Sequence, residues 1–401
     1  MAESSFPKID RPLHVLHLPI NIRWIMDNMI VGQKEVGIDV KKLLISPQGV
    51  DNWEQERIDY IPVRNPVNRL KGYPLYIKQT YQYFRYYFKL IKWADIVHWQ
   101  YSQRCWHRYG IFKDIDFFLL RLLNKPVVAQ FHGMDFLNNI KWSESNPWWM
   151  ESFDSDRMDE FNILAETTQR EFAEAGNFFA MGYGMLPSVE EKNKNRAFLM
   201  ERSVDVSAIE PRVDYAKRER VVIVHGPSSP QKKGTKYVLQ AIEEIKKIRD
   251  IEFKLLTDMT HEEVLDGMRG ADIAIDQLLC GDYGVFSVEA MASGVAVVAN
   301  VCPELQEAYP HDLPIMSATP LTIKDVLLYL IDDSEERTLR AKRGPEYAYK
   351  VHSIEATTPE ILRVYKAVAQ KKGQSKTVER IEYHLEKCKK IGWHGISDEE
   401  K

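Results

Sequence analysis

Two short segments of this 401-residue chain carry side chains whose types and spacing suit the binding of anions. In the first, 221–241 (VVIVHGPSSPQKKGTKYVLQA), an apolar run ends at His225 and is followed by Gly226, Pro227, Ser228 and Ser229, then by Lys232, Lys233 and Gly234. A turn of this kind, leading from a strand into a helix, presents backbone N–H groups, and a lysine beside them adds charge; both attract phosphate. The order Lys-Gly-Thr departs from the Gly-Lys-Ser/Thr of a Walker A loop. Taken alone, the segment also reads as an ordinary turn with two solvated lysines. In the second, 276–299 (DQLLCGDYGVFSVEAMASGVAVVA), Gly281 and Gly284 allow the backbone to approach a ligand closely, and a helix is expected just beyond. There the amides of Val285 and Phe286 suit a diphosphate, and Glu289 suits paired hydrogen bonds to a ribose diol. The competing reading makes Glu289 a partner of the helix dipole and the glycines a packing device.

Such loops need a scaffold that sets strand ends beside helix starts. Short β-rich runs at 13–18, 40–45, 95–99 and 126–131 alternate with segments of helical period at 28–36 and 116–123, which is the pattern of a parallel sheet with crossover helices. After a polar, proline-marked stretch at 203–220 the pattern restarts, with strands expected at 221–225, 253–256, 272–275 and 296–299 and helices at 236–248 and 288–292. Two α/β units joined near 205–220 are the simplest parse. The tail after Gln370 is highly charged and reads as a peripheral helix with a frayed end.

Composition bounds the function classes. The chain has 54 Lys and Arg against 58 Asp and Glu, a net charge of −4, and is 44% hydrophobic, so it is an ordinary globular chain with no global excess of basic charge for nucleic acid. The four cysteines are scattered, which suggests neither a zinc site nor a disulfide framework and points to a reducing compartment. The first residues lack an apolar signal core and no run is long enough for a membrane span, so the expectation is a soluble, cytoplasmic chain.

The order strand, Gly-Pro turn, Lys-Gly-Thr, helix, then YGVFSVEAMASGVAVVA resembles the C-terminal half of retaining, family-4-type glycosyltransferases (glycosyltransferase group 1) of the GT-B fold. Glu289, Ala290, Met291, Ala292 and Gly294 match that family's Glu-Ala-Met-Ala-x-Gly; DIVHWQ at 95–100 and FHGMD at 131–135 resemble its strand ends facing the cleft. The resemblance spans roughly residues 12–370 and is specific over 221–299. It implies two Rossmann-like domains with parallel sheets facing across a cleft, an acceptor domain at 1–205, a donor domain at 206–352, and a segment at 353–401 that crosses back to the first domain. It implies a nucleotide-diphosphate sugar as donor, a sugar or lipid-linked glycan hydroxyl as acceptor, and a role in surface polysaccharide or glycoconjugate synthesis. It also implies that no metal or other cofactor is used and no nucleic acid is bound. Lys233 would neutralise the donor diphosphate, aided by Gly226, Ser228, Lys232, Gly284, Val285 and Phe286; Glu289 would hold the ribose, and His132 would sit near the reacting sugar carbon. Glycosyl transfer needs its leaving diphosphate stabilised, which a lysine and helix N-termini do.

Two departures stand out. The family's arginine after the glycine falls at Pro227, and the first glutamate of its Glu-x7-Glu pair falls at Gly281, with Asp282 one residue later. Asp282 or Asp276 is the candidate to contact the donor sugar in its place. Where relatives often carry Gly-Gly the chain has PINIRW, and Asn21, Arg23 and Asp135 are candidates for phosphate or acceptor contacts. The missing glutamate keeps open a catalytically weak nucleotide-sugar-binding paralogue that partners another transferase; an epimerase or hydrolase of the same fold is a further alternative.

Charge is unevenly placed. Residues 64–94 hold seven basic and no acidic side chains, with nine aromatics in 73–93, while 144–174 hold nine acids against two arginines. The basic aromatic segment suits the headgroup zone of an anionic membrane or stacking on sugars; the alternative is an aromatic helix packed under the first sheet. His98, at a strand end, reads as a satisfied core histidine, and Asp116 as a first-turn acid of the helix after it.

Overall fold

The computed structural model describes residues 8–20, 25–44, 73–106, 115–133, 136–152, 158–215, 219–310 and 313–395. Asn21, Arg23 and Asp135 lie outside them, as do residues 45–72.

The apolar runs become strands because both faces of each sheet are covered, so successive residues of a strand can all be apolar. The first sheet has six parallel strands: β1 (His14–Leu18), β2 (Asp39–Lys42), β3 (Ile96–Gln100), β4 (Val127–Gln130), β5 (Phe178–Met181) and β6 (Ala197–Leu199), in the order β2-β1-β3-β4-β5-β6. The second has five: β7 (Val221–His225), β8 (Ile251–Leu255), β9 (Ile273–Ile275), β10 (Ala296–Ala299) and β11 (Met316–Ser317), in the order β11-β10-β9-β7-β8. All the described strand pairs are parallel. This is the expected α/β architecture of two Rossmann-like units.

One face of the first sheet packs on helix Ile25–Glu35 and on helix Ile354–Lys371, which returns from the second domain to place Ile361, Leu362 and Tyr365 against Val15 and Ile96. The other face packs on helices Tyr73–Trp93, Ile115–Leu122 and Met158–Glu174 through Tyr87, Leu90, Phe117 and Phe172 around Trp99. Tyr83, Tyr87, Leu90 and Ile91 are buried while Tyr81, Arg85, Lys89 and Lys92 are exposed, so the described part of the aromatic helix is amphipathic and turns Tyr83 and Tyr87 to the core. Asp116 is the first-turn acid expected of the helix it opens. It is fully buried, on a helix whose Phe117, Leu119 and Leu120 are buried with it.

The tail forms the helix expected of it, and the frayed end expected beyond it lies outside the described residues past 395. Helix Ser375–Lys390 is docked on the first domain: Arg380 pairs with Asp10 and Asp95 at 2.8 and 3.0 Å, and His384 accepts from Leu13 N–H at 3.2 Å. Its apolar residues are few, yet Ile381 and Cys388 are wholly buried. Among the described residues no helix is long and apolar enough to cross a membrane.

Candidate active site

The C-terminal ends of both sheets face one cavity of about 440 Å³, the position where open parallel sheets take ligands. His132 and Gly133 reach it from the end of β4, Trp142 and Trp149 from the short helices Asn139–Ser145 and Pro147–Ser152 beyond, and Arg202 from the segment leaving the first domain. The second domain contributes Ser228, Lys232 and Lys233 after β7 and Gln277, Asp282, Gly284 and Val285 after β9.

The loop after β7 is shaped by its glycines. A Cβ on Gly226 would lie 2.3 Å from the Phe286 ring, so this residue lets the turn pass beneath that ring. One helical turn, Pro230–Lys233, then ends at Gly234 in the left-handed region (φ 72°), and helix Thr235–Ile245 follows. Lys233 thus closes a short turn before the helix. Its ammonium is buried and ion-paired with Asp276, while Ser228 and Lys232 are exposed on the rim.

Asp276 is committed to this arrangement. Its carboxylate accepts from Lys233, from Gly284 N–H at 3.0 Å and from Ser287 Oγ at 2.7 Å. Burial works against its charge, but Lys233 and these donors hold its pKa below the ordinary value. One carboxylate therefore ties the lysine to the start of helix Val285–Ala292. Gly284 is the N-cap of that helix and supplies no side-chain cap, and Val285, its first residue, faces the cavity. Positive backbone ends and a lysine converge on one wall.

Gly281 explains the displaced glutamate. Its φ is 74°, and a Cβ there would meet Asn146 Nδ2 at 2.6 Å and Cys302 Sγ at 2.8 Å. Asn146 belongs to a first-domain strap that clasps this loop: its Nδ2 donates to Leu279 O at 2.8 Å, and Trp142 Nε1 donates to Cys280 O at 3.0 Å. A side chain at 281 has no room while the strap is seated. The carboxylate one residue on, Asp282, lines the cavity, with Arg202 Nη2 at 3.3 Å and the Tyr309 hydroxyl donating to it. Burial raises its pKa, opposed by Arg202.

Glu289 lies apart from the cavity-lining residues; it is buried and its Oε1 meets His261 Nε2 at 2.7 Å. That contact raises the His261 pKa. On the opposite wall, His132 Nε2 is 2.7 Å from Gln100 Oε1, and burial, then the Arg202 charge, pushes its pKa down to about 3. His98 is buried and hydrogen-bonded, as a core histidine.

Sequence reasoning missed Arg202, Gln100, Trp142 and Trp149. The two tryptophans had a visible signal, since WSESNPWW sets three of them within eight positions of a polar stretch. Arg202 had none. Among the described residues no group of three or more His, Cys, Asp or Glu is placed to hold a metal ion.

Two Rossmann-like domains facing a shared cleft define the GT-B fold. No protein-family model matches the chain. Over 152 residues it is 27% identical to a D-inositol 3-phosphate glycosyltransferase of Corynebacterium urealyticum, covering 37% of this chain and 35% of that one. Over 197 residues it is 26% identical to MMP alpha-(1->4)-mannosyltransferase of Mycolicibacterium hassiacum, covering 42% and 47%. The matches span less than half the length of these curated relatives. Among solved structures, a sucrose-phosphate synthase from Thermosynechococcus elongatus superimposes with a TM-score of 0.63 at 11% identity over 90% of this chain and 100% of that one. Anabaena HepE, in complex with UDP and glucose, gives 0.53 at 12% identity over 88% and 99%. In fold and in sequence the chain is thus similar to GT-B glycosyltransferases, and the group 1 type fits.

Proposed function

We propose that this protein transfers a sugar from a nucleotide-diphosphate donor to a hydroxyl acceptor, with retention and without a metal. The observation that carries the reading is the convergence of Lys233 and the uncapped start of helix Val285–Ala292 on one wall of the interdomain cavity, opposite His132. In the transfer the acceptor oxygen bonds to the anomeric carbon while the bond from that carbon to the β-phosphate oxygen breaks, its electron pair leaving with the diphosphate. The acceptor proton passes to the departing phosphate on the same face. Lys233, Lys232 and the amides of Val285 and Phe286 offset the charge that develops there. Asp282 takes a donor-sugar hydroxyl in place of the missing glutamate, and Glu289 the ribose, exchanging His261 for the diol. The curated relatives bear glycosyltransferase names, and HepE holds UDP and glucose; both support the reading.

The acceptor we propose is a sugar or lipid-linked glycan, reached from an anionic membrane surface through the exposed Arg85, Lys89 and Lys92 of the aromatic helix. The test is a panel of UDP-, GDP-, ADP- and TDP-sugars read by thermal shift and by product mass. A donor at 100 times its Kd adds about 2.7 kcal/mol of stability. Binding with transfer to an added acceptor supports the proposal. Binding without turnover would favour the partner-protein reading, turnover without acceptor an epimerase or hydrolase, and no binding at all would sink it.

A further inference from the structure

The loop from β9 to helix Val285–Ala292 carries Asp282 and Gly284 to the cavity, and its carbonyls draw their hydrogen bonds from both domains. Of the six from Gln277 to Asp282, the outer four are bonded from within the second domain. Gln277 O accepts from Asn300 N–H at 2.9 Å, Leu278 O from Asn300 Nδ2 at 2.9 Å, Gly281 O from Cys302 N–H at 3.0 Å, and Asp282 O from Gln277 Nε2. The two between them are bonded from the first domain: Leu279 O accepts from Asn146 Nδ2 at 2.8 Å and Cys280 O from Trp142 Nε1 at 3.0 Å. Leu279 is buried, and a buried carbonyl needs a donor, so the strap sets the conformation of the middle of this loop. The fit is steric as well. Gly281 is left-handed and the place a Cβ would take is filled by Asn146 and Cys302, whose Sγ donates to Ser145 O at 3.7 Å.

The strap can hold the loop because it is itself fixed to the first domain. Asn146 N–H donates to Trp142 O at 2.8 Å, Trp149 Nε1 to Asn139 Oδ1 at 2.9 Å, and Asn139 N–H to Asn162 Oδ1 at 3.0 Å, on helix Met158–Glu174. Trp142 and Asn146 are only 3% and 1% exposed, so neither has room to swing away. At the outer end of the strap Glu151 accepts from Lys236 Nζ at 2.9 Å and from the Tyr237 hydroxyl, and the Trp148 and Tyr237 rings meet edge to face at 6.3 Å. Lys236 and Tyr237 belong to the first turn of helix Thr235–Ile245, just beyond Lys233. The strap therefore grips both segments that build the second-domain wall of the cavity.

We propose that Asn146 and Trp142 are positioning residues of the donor site: from the first domain they fix the second-domain loop that carries Asp282 and Gly284, so that this wall is complete only while the strap is seated. The proposal rests on the nucleotide-sugar reading for what the wall binds, but the fixing of the loop is a property of the free protein. It ties donor affinity to contact between the domains. A diphosphate that needs the ordered loop binds the seated state in preference, and by linkage its binding tightens the strap in return.

The experiment compares the full wild-type chain with Trp142→Phe, which keeps a ring and loses the N–H, with Asn146→Ala, and with Glu151→Ala at the exposed outer end. The readouts are the affinity for inorganic pyrophosphate, by calorimetry, and amide hydrogen exchange of peptides covering 277–284. Each inner variant should weaken pyrophosphate binding roughly fivefold, about the size of one hydrogen bond, and speed exchange in that loop. With any UDP-, GDP-, ADP- or TDP-sugar that turns over, KM should rise by a similar factor while kcat stays within about twofold. Glu151→Ala separates positioning from a purely structural role. Removing a negative charge would by itself tighten the binding of an anion, whereas a loosened strap should weaken it about twofold, the size of one exposed ion pair. If an inner variant fails to fold, Glu151→Ala carries the test. Lower melting temperatures with unchanged pyrophosphate affinity, or tighter binding in Glu151→Ala, overturn the proposal. A wild type that takes no pyrophosphate overturns the nucleotide reading and the donor site with it; faster loop exchange in the variants would then still uphold the fixing of the loop, and unchanged exchange would overturn that too.

Discussion

The two walls of the cleft bury polar groups by opposite means. The second domain buries charge and pairs it, Lys233 with Asp276. The first domain, at the sheet face behind His132, buries neutral groups and links them: two histidines, three glutamines and a tyrosine in one hydrogen-bonded chain. Paired charge costs desolvation but leaves a cation in place for a diphosphate; a neutral chain has no such field, and fixes the direction of each donor and acceptor instead. The difference teaches that the loop after β7 is built to hold charge and the sheet face behind His132 to aim hydrogen bonds.

The strongest way to break that division is Lys233→Ala. It should lower donor turnover by about 10²- to 10³-fold, as loss of a charge-stabilising group does. It should also destabilise the fold by about 3–5 kcal/mol, because Asp276 is left as an unpaired buried carboxylate. Lys233→Met with Asp276→Asn separates the two effects, since stability should recover and turnover should not. Recovery of turnover in the double variant would refute the charge-holding role. Next in size is Gly281→Glu, which returns the family's glutamate to its usual place. The left-handed backbone costs about 1–2 kcal/mol and the collision with Asn146 and Cys302 about 1–3 more, so the melting temperature should fall and activity should not rise.

The third prediction concerns pH, and two buried carboxylates, one in each domain, give it opposite signs. Asp276 has a lowered pKa, so its stabilisation is present above the ordinary carboxylate value and is lost as pH falls toward the folded-state value. Asp116 in the first domain is raised to about 7 by burial, with the Tyr87 hydroxyl and then the Arg104 charge too weak a counterweight. Its contribution is therefore full below the unfolded-state value and is lost as pH rises through the folded one. Between the ordinary value of about 3.9 and its folded value, the loss approaches 1.4 kcal/mol per pH unit. Denaturant unfolding at pH 4.5 and about 7 should show that Asp116→Asn removes this slope; an unchanged slope would mean that another group carries it.

The same division decides what could be read in advance. Lys233, Ser228, Gly284 and Val285 were legible because each sits a few residues beyond an apolar run, and a strand end sets such neighbours at the cleft. Strand Val221–His225 matches its expected bounds, and the alternation of the two halves anticipated four strands of each sheet but not strands Phe178–Met181, Ala197–Leu199 and Met316–Ser317. The neutral wall was not legible. Gln33, His98 and Tyr365 come together only because a helix from the far end of the chain returns to the first sheet, and Gln100 and Gln130 look like polar interruptions of a strand until the register aligns them. The contacts that dock the tail helix were not legible for the same reason. Arg380 reads as one more solvated charge until Asp10 and Asp95, some 285 to 370 positions away, are beside it.

The smallest effect expected on the fold tests where the two kinds of polarity stop. Arg85, Lys89 and Lys92 lie on the solvent side of helix Tyr73–Trp93, whose buried side is Tyr83, Tyr87, Leu90 and Ile91. Exposed charges that make no buried pair contribute little, so replacing all three by glutamine should change stability by under about 0.5 kcal/mol per site. Partition onto anionic vesicles should fall by about 1 kcal/mol for each charge removed, or roughly fivefold, and should weaken with added salt. Tyr83→Ala on the buried side should do the reverse: it should cost about 3–5 kcal/mol of stability, as large aromatic truncations in a core do, and leave vesicle binding by the folded fraction intact. If the glutamine variant bound vesicles as tightly as wild type, the basic face would be a solvated surface and nothing more, and the acceptor would have to reach His132 from solution.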